Sequence, residues 1–406
     1  MKPNTPGFIG ANLRLARKLR GKTAVALSEG LGLTKQAISN YEAGKQSPSP
    51  EIAERICEVL DFPMSFFMRR RKHHQRKSGP SFYRSMAAAT KLARERAEAY
   101  FDVLLDLSDI IEAFLELPTV NFPELHPPSD PTQISDKFIE DAAVEVRKFW
   151  GLADGPISNT IWLLENNGAI VIRRPLGAET LDAFSRWVDG RPYIILGSEK
   201  SSAARSRFDV GHELGHLILH KNISEVCLRN ADYFTLIENQ AHRFSGAFQF
   251  PETSFVREAS NCSLYTFQLL KRRWKLSIGM MIKRCENLEL VGDKKITSLW
   301  KSYSRNGWRT FEPLDDELEV EQPYLLNESV QLMIEEGLLS RSSILAELGL
   351  YHRDVESCAG LSLNVLNPKI DEVTTLQSRR SPVKRESVGD SQAKIFEFPS
   401  SERLRN

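Results

Sequence analysis

The chain has 406 residues, 41% of them hydrophobic and 26% charged, with a formal net charge of +1. That length accommodates two or three domains and that balance suits a folded chain rather than a disordered one. No apolar run reaches the roughly 18 residues of a membrane span, so no membrane partner is expected. The charge is unevenly spread: residues 1–80 hold fifteen Lys/Arg against six Asp/Glu, a net +9, which leaves −8 for the remainder. A basic end on a near-neutral chain is the footprint of a nucleic-acid-binding module joined to something else. Its opening, "MKPNTPGFIG", lacks an apolar h-region, so no secretory leader is expected. The five cysteines (Cys57, Cys227, Cys262, Cys285, Cys358) are scattered and never in CxxC spacing. This argues against a disulfide framework or a cysteine zinc cluster, and for a reducing, cytoplasmic setting.

In chain order, residues 8–66 read as short helices, with Leu13, Leu15, Leu19, Leu27, Leu31, Ile38, Tyr41, Ile52, Ile56, Val59 and Leu60 at helical spacing. Gly21, Gly32 and Gly44 punctuate them. The basic "MRRRKHHQRKSGP" follows, readable either as a phosphate-tracking segment or as a solvated linker. Met86 to Leu117 is helical again, then a proline-rich loop, then two helices over 136–167. "GAIVIRR" and "RPYIILG" read as strands. Helices are expected over 203–220, 236–248 and 263–288, a strand pair over 296–311, and two or three short helices over 325–358. Those last helices carry a Leu/Ile stripe suited to core packing or a partner surface. Beyond about Asn367 the chain is polar, basic in places and Ser-rich, so disorder is expected.

Within "LTKQAISNYEAGKQSPS", Thr34 can cap a helix whose outward residues are Lys35, Gln36, Ser39 and Asn40, with Ile38 and Tyr41 facing inward. A DNA-recognition helix needs this division, with short polar or basic side chains at its N-terminal end for base edges. Gln36 suits adenine, and Lys35 suits guanine or phosphate. Arg14, Arg17, Lys18 and Lys45 are candidate phosphate contacts, which would make binding fall steeply with salt. The alternative is a small helical bundle that binds protein. The run Ile38 to Gly44, "ISNYEAG", resembles the Cro/lambda-repressor (XRE) helix-turn-helix family, a resemblance that covers residues 9–66. It implies an operator as partner and dimerisation on two-fold sites.

"RFDVGHELGHLILH", residues 207–220, holds three of the eight histidines in nine positions. His212-Glu213-Leu214-Gly215-His216 is HExxH. On a helix, positions i and i+4 lie about 40° apart around the axis and about 6 Å apart along it, so two imidazoles can converge on one ion. Glu213 projects from a neighbouring angle and can reach a water as a general base, the logic of a zinc peptidase. The apolar neighbours Phe208, Val210, Leu214, Leu217, Ile218 and Leu219 predict burial; the alternative is a core helix with hydrogen-bonded histidines. A third ligand is needed, and Glu238, one turn before His242 in "LIENQAHRFSGAFQFP", is the candidate; the alternative is a solvated helix-face glutamate. His220 reads as a structural or supporting group rather than a ligand. His242 reads as a transition-state donor, a partner for Glu238, or a surface histidine. No GxxxxGK[ST] phosphate loop or GxSxG nucleophile elbow occurs.

"SAARSRFDVGHELGHLILH" followed by "ENQAHRFSGAFQFP" resembles the ImmA/IrrE family of bacterial zinc metallo-endopeptidases. The resemblance implies a gluzincin-like fold with one zinc per chain held by His212, His216 and Glu238, with Glu213 as general base. It also implies a protein substrate, a repressor whose cleavage relieves repression, and a sheet strand, "PYIILG", that pairs with substrate at an edge. The family's second motif often has Asn where this chain has His242.

The expected fold class is therefore α+β multidomain. An all-α helix-turn-helix domain (8–67) and a basic linker (68–80) precede a helical connector (81–135). A mostly helical metallopeptidase domain with a small β-sheet (136–312), a C-terminal helical region (313–366) and a disordered tail (367–406) complete it. The expected function is a DNA-binding regulator carrying a zinc-dependent endopeptidase. The alternative is a transcription factor, or an antitoxin-like autorepressor, whose zincin domain senses or binds without cleaving.

Overall fold

A computed structural model describes residues 4–71, 91–176, 183–199, 202–224, 227–228 and 230–368. Part of the basic linker, the first residues of the expected connector helix, and the tail from residue 369 lie outside the described residues. The architecture is α+β: helices dominate, with one three-stranded sheet. No described helix is long and apolar enough to cross a membrane.

The described residues pack as two compact units that do not follow linear order: those of 4–71, 91–117 and 325–368 form one, and those of 118–324 the other. The first contains α1 (Gly10–Leu19), α2 (Ala24–Leu31), α3 (Lys35–Glu42), α4 (Pro50–Leu60), α5 (Met64–Met68) and α6 (Lys91–Glu112). The chain returns to it with α15 (Leu325–Glu335), α16 (Arg341–Leu348) and α17 (His352–Ala359). Local chemistry starts the short helices. The Thr23, Thr34 and Ser49 hydroxyls each accept the backbone N–H three residues on, and Pro50 opens α4 where a missing N–H costs nothing. Gly32, at φ 61°, ends α2 in the left-handed region. Leu13, Ala16, Leu27, Leu31, Ile38, Ile56 and Leu60 are fully buried and hold the bundle together. At its N-terminal helix, a Cβ on Gly10 would lie 1.9 Å from the Tyr41 carbonyl oxygen, so only glycine lets α1 meet the end of α3.

Ion pairs with half-buried arginines join the rest of this unit. Arg20 donates to both carboxylate oxygens of Asp354 on α17, at 2.6 and 2.9 Å, with its guanidinium 4.1 Å over the Phe62 ring. Arg69 and Arg71 both donate to Asp106 on α6. The two arginines are thus tied into the fold rather than part of a solvated linker, because a buried carboxylate is stable only when paired.

The second unit opens with α7 (Asp136–Phe149), α8 (Thr160–Asn166), β1 (Ile170–Arg174), β2 (Ala183–Val188) and β3 (Arg191–Gly197). It continues with α9 (Ala203–Leu219), α10 (Ala231–Gln249), α11 (Glu252–Glu258), α12 (Leu264–Trp274), α13 (Ile278–Asn287) and α14 (Asp293–Arg305). The sheet order is β1-β3-β2, with β1 parallel and β2 antiparallel to β3. The expected edge strand, β3, is therefore central: Ile195 lies between Ile172 and Phe184, and both of its sides are taken. Sequence patterning missed β2, although Asp189-Gly190 before β3 carries the hairpin signal, with φ 47° and 83° at the two turn residues. The expected strand pair at 296–311 is α14 instead. Ile296, Leu299 and Tyr303 recur at helical spacing and are buried together. The helix expected over 263–288 is broken by Lys275, at φ 54°, and restarted by Ser277, whose hydroxyl accepts the Met280 N–H.

One side of the core packs α7, α8 and the sheet against Val210, Leu214, Leu217, Phe244 and Phe248 of α9 and α10. Those two helices cross closely. A Cβ on Gly215 would stand 3.1 Å from the Ala241 carbonyl oxygen and 3.2 Å from its Cα, and a Cβ on Gly211 would meet Gln249 and Ser245 below 3 Å. Gly215→Val should force the helices apart and destabilise the protein by about 1–3 kcal/mol or more, read as a lowered unfolding midpoint. Gly155→Ala, at a site with no atom within 4 Å of the new carbon, should stay within about 0.5 kcal/mol of wild type.

Candidate metal centre and DNA-reading surface

Ser202 caps α9, its hydroxyl accepting the Arg205 N–H at 3.4 Å, and Asn230 caps α10 through the N–H groups of Asp232 and Tyr233. The close crossing then sets one turn of α10 against two turns of α9. His212, His216 and Glu238, all buried, offer ligand atoms lying within 4.8 Å of one another. The His212 and His216 Nε2 atoms are 3.0 Å apart. Glu238 approaches each with a separate oxygen, at 3.4 Å from His212 Nε2 and 3.4 Å from His216 Nε2. Burial opposes ionisation of Glu238, but the hydrogen-bonding positions and charges of His212 and His216 outweigh it and hold the carboxyl well below the ordinary carboxylate range.

Glu213, next to His212 on α9, is buried. β2 lies alongside this turn: the Ser185 hydroxyl donates to the Glu213 carbonyl at 3.4 Å, and Trp187 Nε1 donates to the Leu217 carbonyl at 3.0 Å. His242 is half-buried, its ring centroid 4.6 Å from that of His212 and stacked on Phe208 at 5.7 Å. His242 and Phe208 also line a cavity of about 550 Å³ whose lining residues do not include the triad. His220 is fully buried and turned away from the triad. Its Nδ1 lies 3.0 Å from His216 Nδ1, and its Nε2 3.1 Å from Gln240 Oε1. Burial, reinforced by the neighbouring His216, holds His220 well below the ordinary imidazole range. Gln240 was not among the expected residues; its signal is a polar side chain at an inward position of an otherwise amphipathic helix.

In the first unit, Lys35, Gln36, Ser39 and Lys45 are exposed on and just beyond α3. Asn40 is half-buried and accepts from Gln36 Nε2 at 3.1 Å. Arg17, expected to contact phosphate, does not belong with them. It is 7% exposed and donates through Nε and Nη2 to the buried Glu42 carboxylate and through Nη1 to the Lys22 carbonyl. The buried Glu42 on α3 draws this cation inward, so the charge is consumed inside the fold.

Residues 164–286 match the family model of the IrrE N-terminal-like domain, a peptidase family, and residues 13–67 match that of the helix-turn-helix. The chain carries both domains. The first match includes β1–β3, α9 and α10, and therefore the whole triad; the second includes α2 to α4 and most of α1. Two curated relatives, each named an uncharacterized HTH-type transcriptional regulator, come from Sinorhizobium medicae (strain WSM419) and Rhizobium meliloti (strain 1021). Each is 36% identical over 67 residues, which is 16% of this chain and 48% of the relative. The chain thus spans about half the length of the curated relatives it matches.

The two kinds of arginine and lysine separate experimentally. Arg17→Met takes from the buried Glu42 its two-point partner, leaving it the exposed Arg14 at 3.5 Å, and should cost on the order of 3 kcal/mol of folding stability. Lys45→Ala should leave stability within about 0.5 kcal/mol, and lower the slope of log affinity for duplex DNA against log salt by about 1. Denaturant melts and salt-titrated binding measure the two effects.

Proposed function

We propose that this chain is a cytoplasmic DNA-binding transcription regulator whose second domain is a zinc-dependent endopeptidase acting on a protein substrate, a repressor. The observation that carries the reading is the buried His212–His216–Glu238 cluster with Glu213 beside it in sequence. Its donor set fits zinc. Two imidazole nitrogens and one carboxylate leave a fourth position open, as catalytic rather than structural zinc sites do. Donors about 2.0–2.1 Å from an ion in a tetrahedral arrangement stand about 3.3–3.4 Å apart, against the 3.0, 3.4 and 3.4 Å found here. Glu238 would supply the anionic ligand, and its depressed pKa keeps it charged across the physiological range.

Zinc held there would supply Lewis acidity to a water and to a peptide carbonyl. In this reading the Glu213 carboxylate takes a proton from the attacking water and returns it to the departing amide nitrogen, so that water adds across the cleaved C–N bond. His242, against the His212 ring, would donate a hydrogen bond to oxygen charge developing on the carbonyl. The central place of β3 removes it as a substrate-pairing edge. At the other unit, Lys35, Gln36, Ser39 and Asn40 would read base edges with Lys45 on phosphate, and the chain would dimerise on a two-fold operator. Tethering a peptidase to an operator raises its concentration near a repressor bound alongside.

Purified wild type should carry one zinc per chain by mass spectrometry, and His216→Ala and Glu238→Ala should lose it. Glu213→Gln should retain zinc and folding yet abolish cleavage and derepression. Full biological activity in Glu213→Gln, with loss in His216→Ala, would make the metal structural and refute the peptidase. Zinc affinity should fall as pH is lowered, because protons compete with the ion for its ligand atoms.

A further inference from the structure

The imidazole of His216 is held from behind by a chain of hydrogen bonds whose proton positions can be deduced. Its Nε2 faces His212 and Glu238, and its Nδ1 lies 3.0 Å from His220 Nδ1. His220 Nε2 lies 3.1 Å from Gln240 Oε1. Gln240 Nε2 donates to two backbone carbonyls, Pro131 at 2.7 Å and Ile134 at 3.1 Å. Those carbonyls fix the amide, because the flipped amide would set oxygen against oxygen. The oxygen facing His220 can only accept, so a singly protonated His220 carries its proton on Nε2 and accepts at Nδ1. The atom opposite, His216 Nδ1, is then the donor. A ring protonated on Nδ1 presents its lone pair on Nε2, toward the triad.

We propose that His220 and Gln240 are positioning residues, forming a neutral relay from the Pro131 and Ile134 carbonyls to His216 that fixes its metal-binding tautomer and aims its Nε2. This rests on the metal-centre reading above. Ligand histidines are commonly held by a carboxylate or a backbone carbonyl. An imidazole and an amide do the work here without adding charge, so Glu238 remains the only anionic member of the triad. Neither residue touches the triad's centre, and the relay acts wholly through His216.

Zinc affinity of the full chain, measured by competition with a chromophoric chelator, tests this, with apo-protein unfolding as the control for folding. His220→Phe fills the volume but accepts nothing, and should weaken zinc on the order of 10- to 100-fold. His220→Asn puts an amide oxygen near the position of Nδ1 and should recover most of that loss. A packing role alone predicts the reverse order, since Phe fills an apolar space better than Asn. Gln240→Met should weaken zinc in the same direction. The double variant His220→Phe/Gln240→Met should bind no more weakly than His220→Phe, because the two act in series. If His220→Phe does not fold, weaker zinc in Gln240→Met than in His220→Asn supports the relay, and wild-type affinity in Gln240→Met overturns it. Equal affinity in His220→Phe and His220→Asn also overturns it. A wild type that takes up no zinc overturns the metal-centre reading itself, and the relay with it.

Discussion

The close crossing of α9 and α10 is the constraint on which the second unit depends. A carboxylate from one helix can stand 3.4 Å from two imidazoles of another only if the backbones nearly touch. Gly215 allows this, since the Ala241 backbone occupies the space a side chain would need. Gly211 leaves room for Ser245 and Gln249, which donate to the Phe208 and Arg207 carbonyls at 2.8 and 2.9 Å. Burial of Leu214, Leu217, Phe244 and Phe248 supplies the driving force, at about 1.5–3 kcal/mol per side chain. The apolar contact holds the helices together, the glycines set how near they come, and the polar pairs set the register. The three ligand candidates inherit their geometry from all of these.

The same division of labour operates in the first unit, with different residues. Gly10 sets the approach of α1 to the end of α3, and Arg17–Glu42 fixes its rotation. This changes how the basic end should be counted. Arg17, Arg20, Arg69 and Arg71 all donate to carboxylates within the unit. The surface available to DNA is therefore narrower than a net +9 over residues 1–80 suggests. Among the described residues Lys35, Lys45 and Arg70 stay exposed, and Arg14 is exposed with its Nε 3.5 Å from Glu42.

Much of both candidate sites was legible because it is written in local periodicity. His212 and His216 at i and i+4, Glu238 one turn from His242, and Thr34 before an outward polar face are statements about single helices. What failed was nonlocal or ambiguous in period. The central position of β3 is a property of strand order, which no single strand reveals. Ile296, Leu299 and Tyr303 satisfy a helix where a strand pair was expected. β2 has only six residues and was overlooked even with Asp189-Gly190 marking its turn. The amphipathic helices after residue 325 announce an apolar face and not its partner, so their packing with the N-terminal unit could not be read in advance.

Arginine and glutamine were the least legible residues, for one physical reason. Their composition says charged or polar, which by default reads as solvated, yet a buried guanidinium or amide is stable wherever its hydrogen-bonding capacity is met. On α10 the inward polar residues find backbone carbonyls in other segments: Gln240 at Pro131 and Ile134, Ser245 at Phe208, Gln249 at Arg207. A carbonyl in a loop or at a helix turn is a fixed point that no side-chain rearrangement removes. Three such anchors along one helix restrict its rotation far more than apolar packing, which tolerates sliding. Glu238 lies two residues before the first of them, so its aim at His212 and His216 is steadied by amides and a hydroxyl whose partners lie outside the triad.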